Sequence, residues 1–175
     1  MRRLVAAIIL GIQFFPVESL HAEVMDSADD GFHLKIIVEV DVPRGETYRQ
    51  FLRVGEWWNS DHTWFGDAKN MYIEPVAGGC FCEVDGGQSV LHMLVSFVRP
   101  GRTIRMLGGL GPLQEMGLQG VMTFQFDDID GGGTRVTHEY RVTGYAKGGL
   151  KGLAPVVDQV QRDQVQRLKA RLESP

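Results

Sequence analysis

Beginning at Phe32 the chain alternates, with Phe32, Leu34, Ile36, Val38 and Val40 on one side of the backbone. That two-residue period predicts a half-buried strand running to Val42. Pro43 stops it and suits the first turn of a helix. Tyr48, Phe51 and Leu52 follow at helical spacing, so residues 44–53 are expected as a short helix, with a second short helical piece carrying Glu56-Trp57-Trp58. Residues 59–69 are aromatic and polar without a period, and are expected as a loop. Strand signals then recur over 70–76, 79–85, 89–98, 102–108, 119–127 and 134–143. Turn chemistry separates them at Ala77-Gly78-Gly79, Asp85-Gly86-Gly87, Arg99-Pro100-Gly101 and Asp130-Gly131-Gly132-Gly133. Short strands joined by short turns predict an antiparallel meander.

The last two strands alternate cleanly. Met122, Phe124 and Phe126 share one face, as do Val136, His138, Tyr140 and Val142, while the opposite faces hold Thr123, Gln125, Asp127, Arg135, Thr137, Glu139 and Arg141. One side of the sheet is therefore wet and the other covered. The cover is the segment from Val156 to Glu173, where Val157, Val160, Val165, Leu168 and Leu172 recur on one broad helical face, with Asp158, Arg162, Asp163 and Lys169 on the other. The order is strand, short helices, about six further strands, long helix. It implies an α+β fold: a curved antiparallel sheet of about seven strands wrapped around one long C-terminal helix, with two short helices after the first strand.

Residues 1–22 stand apart. A basic Met1-Arg2-Arg3 precedes an apolar run from Leu4 to Phe15, and Pro16 and Ser19-Leu20-His21-Ala22 follow. This three-part pattern is that of a secretory signal cut near Ala22. The run is shorter than the ~20 apolar residues a membrane span needs, so no stable span is expected after the signal is removed. A polar linker over 23–31 would lead into one domain over 32–175, placed in the periplasm or outside the cell. The whole chain has 18 basic and 22 acidic residues. Without residues 1–22, which hold two arginines and one glutamate, 16 face 21 and the net charge is −5. No basic stripe is present, which argues against a nucleic-acid partner.

Cys80 and Cys82 are spaced i, i+2 in a predicted strand, on one face, with Cα atoms roughly 6.5–7 Å apart, at the edge of disulfide reach. The expectation is a pair of buried free thiols packing as small hydrophobes; a redox or metal pair is the alternative. His33, His62, His92 and His138 show no metal-ligand spacing. No phosphate loop or nucleophile motif is present, and no cofactor is implied.

Several stretches together resemble the helix-grip superfamily that includes START lipid-transfer domains, birch-pollen-allergen-like proteins and polyketide cyclases (SRPBCC). They are Val42-Pro43 leading to Trp57-Trp58, Glu74 to Gly79, Val98 to Arg102, Gly109 to Gln114, Gly133 to Thr137, and Val157 to Val160 with Gln164 and Arg167-Leu168-Lys169. Within it, the branch similar to activators of a heat-shock chaperone's ATPase is the nearest in look. The resemblance spans residues 32–173 and implies a cavity between sheet and long helix for hydrophobic small molecules. Some members are enzymes and many are binders. The export signal departs from the intracellular members and argues against a chaperone-activating role.

Three tryptophans lie within eight positions, and Trp58, His62 and Trp64 are expected to close the mouth of an apolar pocket. Met106, Met122, Phe124, His138 and Tyr140 would line it from the sheet. Val157, Val160, Gln161 and Gln164 would line it from the helix, where the two amides need partners or a cavity. A hydrophobic small-molecule binder is the leading reading. The alternatives are a cyclase or dehydrase using His138, Tyr140 or Glu74, and a protein-interaction module.

Overall fold

The computed structural model describes residues 21–174; the expected signal over 1–22 lies almost wholly outside the described residues. Eight strands form one antiparallel sheet: β1 (His21–Ala28), β2 (Gly31–Val40), β3 (Met71–Ile73), β4 (Cys80–Asp85), β5 (Gln88–Arg99), β6 (Thr103–Leu107), β7 (Gln119–Asp128) and β8 (Thr134–Thr143), in the spatial order β1-β2-β8-β7-β6-β5-β4-β3. Helix α1 (Arg44–Leu52) and three one-turn 3₁₀ segments, at Val54–Glu56, Ser60–His62 and Ala68–Asn70, connect β2 to β3. A four-residue helix, α2 (Pro112–Glu115), follows β6, and α3 (Ala154–Glu173) closes the chain. The α+β sheet-and-helix architecture matches the order of elements expected from the pattern.

The alternation of β2 buries Phe32, Leu34, Ile36, Val38 and Val40. β7 and β8 bury Met122, Phe124, Phe126, Val136, His138, Tyr140 and Val142 against the same interior. An aromatic chain then runs from α1 across the interior. Tyr48 meets Phe126 edge-on at 5.4 Å, Phe51 lies 4.6 Å from Phe124, Trp57 stands 5.7 Å from Trp58, and Trp58 meets Phe81 at 5.4 Å between ring centroids. These contacts lock the segment after α1 onto the β4 side of the sheet, a span α3 does not reach.

Three expectations are corrected. Residues 23–31 are not a free linker: most of them form β1, which pairs with β2 from His21↔Ile37 to Ala28↔Gly31. The backbone ladder supplies that strand's stability, and its side chains, mostly exposed, carry little signal. The stretch between the strands expected over 102–108 and 119–127, for which the pattern gives no element, contains α2, with Pro112 at its first position. Cys80 and Cys82 are not free thiols but form a disulfide, their Cα atoms 5.5 Å apart. They lie half-buried on the outer face because Phe81 and Glu83 take the inward positions of β4.

The strand beside that disulfide is irregular. Phe81 pairs with Met93 but Cys82 pairs with Leu91, so His92 is the extra residue of a β-bulge in β5. Both His92 and Met93 consequently turn inward, which strict alternation forbids.

The Cys80–Cys82 bridge closes a very short loop, so it should contribute only about 1–2 kcal/mol to stability. Thiol titration of the native, unreduced protein should find no free thiol, and mild reduction should release two and lower the unfolding free energy by no more than that. Titratable thiols before reduction would contradict the bridge.

Candidate functional site

A cavity of about 350 Å³ lies between the N-terminal half of α3, the α2 segment and the chain from Trp58 to Trp64. Ligand pockets start near this size, at roughly 300 Å³. Leu110, Leu113 and Met116 form one wall, Leu153, Val157 and Val160 another, and Trp58 and Trp64 a third. Trp58 is buried and donates its indole N–H to the His62 carbonyl at 3.0 Å, whereas Trp64 is 41% exposed at the rim.

Of the residues expected to face a ligand, Trp58, His62, Trp64, Tyr140, Val157, Val160 and Gln161 line this one cavity. Met106, Met122, Phe124, His138 and Gln164 do not line it; all are buried in the packed interior. Gln164 holds the fold: its side-chain oxygen accepts the Asn59 backbone N–H at 2.9 Å, while Asn59 Nδ2 donates to Asp163 at 2.9 Å. The two bonds tie α3 to the aromatic segment. The inward line of α3 runs Ala154, Asp158, Gln161, Val165, Leu168, at the four-three spacing of a packed helix. Asp158, expected on the wet face, therefore lies inside, ion-paired with Arg162.

Tyr140 is built into the wall by a glycine. A Cβ on Gly120 would stand 2.5 Å from the Tyr140 ring, so only glycine lets the ring cross β7. The phenol donates to the Gly108 carbonyl at 3.1 Å and accepts the Leu110 N–H at 3.0 Å, which anchors the chain leading to α2. Burial pushes its pKa up to about 12.

His138 is fully buried and stacks on Phe124 at 4.3 Å. Its Nε2–H donates to Gln161 Oε1 at 3.1 Å. Burial drives its pKa down to about 4, against the weaker opposing effect of the Gln161 bond, so it is neutral at pH 7. The bond fixes the Gln161 amide, and the Gln161 nitrogen, at the cavity, has no partner among the described residues.

The sequence reading missed a second polar pair. Glu83 is fully buried, and its carboxylate accepts hydrogen bonds from the backbone N–H of Trp64 at 2.9 Å, the backbone N–H of Phe65 at 2.7 Å and Nε2–H of His92 at 3.1 Å. His92 is 3% exposed and lines the cavity, and its Nδ1 has no protein partner. Burial lowers the His92 pKa and the Glu83 carboxylate pulls it back up. Glu74, the acid considered for a cyclase, is exposed instead. The alternation of β4 does place Glu83 with Phe81; the bulge that aims His92 leaves no periodic trace.

No family model matches the chain, and no curated protein matches it in sequence. Solved structures do match in shape. Ara h 8.0201 is 13% identical, with a TM-score of 0.56, covering 83% of this chain and 99% of its own. Protein Ms6760 from Mycobacterium smegmatis is 18% identical at a TM-score of 0.54, covering 87% and 99%. DynU16, from the dynemicin biosynthetic locus, is 16% identical at 0.56, covering 81% of this chain but 47% of its own. At such identities the likeness is one of fold, and it is the helix-grip fold that the sequence resemblance implies.

Because His138 is far less basic folded than unfolded, where a pKa near 6.5 is usual, the unfolded state binds more protons below pH 6.5. Stability from this residue is complete above about pH 6.5 and falls as the pH drops to about 4. The loss should total about 3 kcal/mol. Denaturant titrations from pH 4 to 7 should show a shallower acid loss in His138→Leu than in wild type; equal slopes would contradict the assignment.

Proposed function

We propose that this chain is an exported binder of a mostly apolar small molecule, held between the sheet, the N-terminal half of α3 and the Trp58–Trp64 segment. The observation that carries the reading is the composition of one wall-to-wall cavity. Aliphatic and aromatic groups make up most of its lining, while two polar side chains in it, His92 and Gln161, each keep a nitrogen without a protein partner. An unpaired buried polar atom costs roughly 1–3 kcal/mol, and at the cavity wall a bound molecule can supply the missing partner. A ligand with an apolar body and one polar end satisfies both features at once. The helix-grip fold supports the same reading, since the sequence resemblance implies a cavity in this place.

The lining also constrains the ligand's charge. No lysine or arginine is among the residues that line the cavity, so an anionic head group would meet no countercharge there. With Asp61 in the lining, the ligand is neutral or positively charged. The proposed location, outside the cytoplasm, rests on the leader-like pattern of residues 1–22 and their short apolar run. Among the described residues no helix is long and apolar enough to cross a membrane.

Val160 is half-buried at the cavity wall, so Val160→Trp should fill the space without opening the core. Titration with the neutral fluorophore N-phenyl-1-naphthylamine should show saturable binding to wild type and at least about tenfold weaker binding to Val160→Trp, with unfolding midpoints alike. Equal affinities would place the ligand elsewhere. Export has its own test. Intact mass of the protein recovered from the cell envelope or medium should correspond to a chain beginning near Glu23, and recovery of full-length chain from the cytoplasm alone would overturn it.

A further inference from the structure

We propose that the Cys80–Cys82 disulfide is a thiol–disulfide exchange site that takes two electrons from a pair of cysteines in an apolar polypeptide segment. The site lies on the outer face of the sheet, so it goes beyond the cavity-binding reading and does not depend on it.

Three observations carry it. The first is where the bridge stands. Phe81 and Glu83 take the inward positions of β4, so Cys80 and Cys82 point outward, and each is only partly buried. β4 is hydrogen-bonded on both sides, to β3 and β5, so it is the side chains of the two cysteines, not their ladder backbone, that meet solvent. The second is how little the bridge does for the fold. Phe81 alone separates the two cysteines, and both already sit in a paired strand, so closing that loop removes little freedom from the unfolded chain. Positions two apart in an extended strand stand roughly 6.5–7 Å apart, whereas these Cα atoms are 5.5 Å apart. Opening the bridge lets the pleat lengthen with its neighbours, so the ladder favours the dithiol form. Accessible disulfides with such a bias are the ones that exchange.

The third is what surrounds the bridge. Register sets Tyr72 and Leu91 on either side of Cys82, and Leu94 beside Cys80 with Leu107 beyond it. These four and Phe97 are 40–51% exposed. Apolar surface gathered in one place marks contact with another molecule. The disulfide among them names the occupant, because it exchanges with a thiol: here a cysteine whose sequence neighbours are apolar. The charged residue next to the bridge in the ladder is Glu74, which is exposed and donates its N–H to the Cys80 carbonyl at 2.8 Å. Its carboxylate disfavours a small anionic thiol such as glutathione, whereas a neutral peptide meets the apolar ring without that repulsion.

In the reaction, a substrate thiolate attacks one of the two sulfurs. A new sulfur–sulfur bond forms between substrate and protein, and the Cys80–Cys82 bond breaks with its electron pair on the other cysteine. The second substrate thiolate then attacks the mixed disulfide. The substrate leaves with its own disulfide, and the two protein thiolates take up the two protons that the substrate thiols lost. Two electrons and two protons have passed to the bridge, and one substrate pair is oxidised per protein.

The test mixes the folded, disulfide-form protein, without oxygen, with an excess of one of three thiols. They are a neutral, end-blocked peptide with two cysteines set among leucine and phenylalanine, the same peptide with serine and glycine in their place, and glutathione. Acid-quenched samples are followed by mass for the oxidised thiol, the mixed disulfide and the released protein thiols. The apolar peptide should be oxidised at least about tenfold faster than the polar one, with glutathione slower still, and one peptide disulfide should appear for every two protein thiols. Leu91→Ser with Leu94→Ser changes only exposed side chains and should leave the unfolding midpoint alike. The double variant should oxidise the apolar peptide at the polar peptide's rate, with the polar peptide's rate unchanged. A purely structural bridge would react with the three thiols in order of their thiolate fraction, indifferent to the leucine substitutions. Either of those results, or a bridge that stays closed to the apolar peptide, would overturn the proposal. N-phenyl-1-naphthylamine titration of the double variant should match wild type, so loss of exchange and loss of cavity binding are told apart.

Discussion

One helix cannot cover this sheet. Eight strands at their usual spacing span about 34 Å, and a helix with its side chains is about 10–12 Å across. The inner face is apolar from β2 to β4, so the area that α3 leaves open must be covered by something else. α3 packs along β1 and β2, and α1 lies over β7. The β4 end falls to the irregular chain from Val54 to Phe65 and to the short α2 segment. Irregular chain cannot interdigitate as a helix does, because its own backbone groups need partners. The cavity sits where these three kinds of cover meet.

Glu83 makes that irregular cover possible. A loop laid over an apolar face would bury backbone N–H groups with nothing to accept them. The Glu83 carboxylate accepts two of them, from consecutive residues Trp64 and Phe65, and so sets the indole of Trp64 at the rim. On the other side of the loop, Gln164 accepts the Asn59 N–H from α3. The aromatic segment is thus fastened at both ends by side-chain oxygens belonging to the two structures it spans. Its middle is held by packing, with the Trp57 indole donating to the Phe51 carbonyl at 3.0 Å, Trp57 tilted against Phe51 and Trp58 edge-on to Phe81. The two bonds to the Glu83 carboxylate are charge-assisted and stronger than the neutral ones at Asn59 and Trp57.

What could be read from the sequence followed the periodicity. β2, β7 and β8 cross the centre of the sheet with one face buried, and their alternation is clean. The long helix was legible in extent but not in rotation. Its hydrophobic residues marked a face through Val157 and Val160 with Gln161 beside them, whereas the buried line also takes in Asp158, because the ion pair with Arg162 compensates burial that side-chain type alone disfavours. β1 was invisible because an edge strand needs only ladder bonds. Glu83 and His92 were invisible for separate reasons: glutamate is ordinarily a surface residue, and the bulge at His92 breaks the period on which any facing argument depends. Both partners of Glu83's loop bonds lie about twenty positions upstream, beyond the reach of local pattern.

The polar groups inside this protein sort by what answers them. Gln164 and Tyr140 are answered by backbone, in bonds that join covering segments to the helix or the sheet. Asp158 is answered by Arg162 through Oδ2 alone. They stabilise the cover and would do so in a protein with no ligand. Gln161 and His92 differ. Each lines the cavity and has one end satisfied by another buried side chain, His138 and Glu83 respectively, with a nitrogen left without a protein partner. A side chain kept for stability alone would gain nothing from a second buried polar group behind it, since replacing both by apolar groups of similar shape is often neutral or favourable. The paired arrangement has a use only if the orientation of the first group matters. Gln164, Asp158 and His138 also keep a buried atom without a partner, but of the side chains left with such an atom only His92 and Gln161 belong to the lining of the apolar cavity.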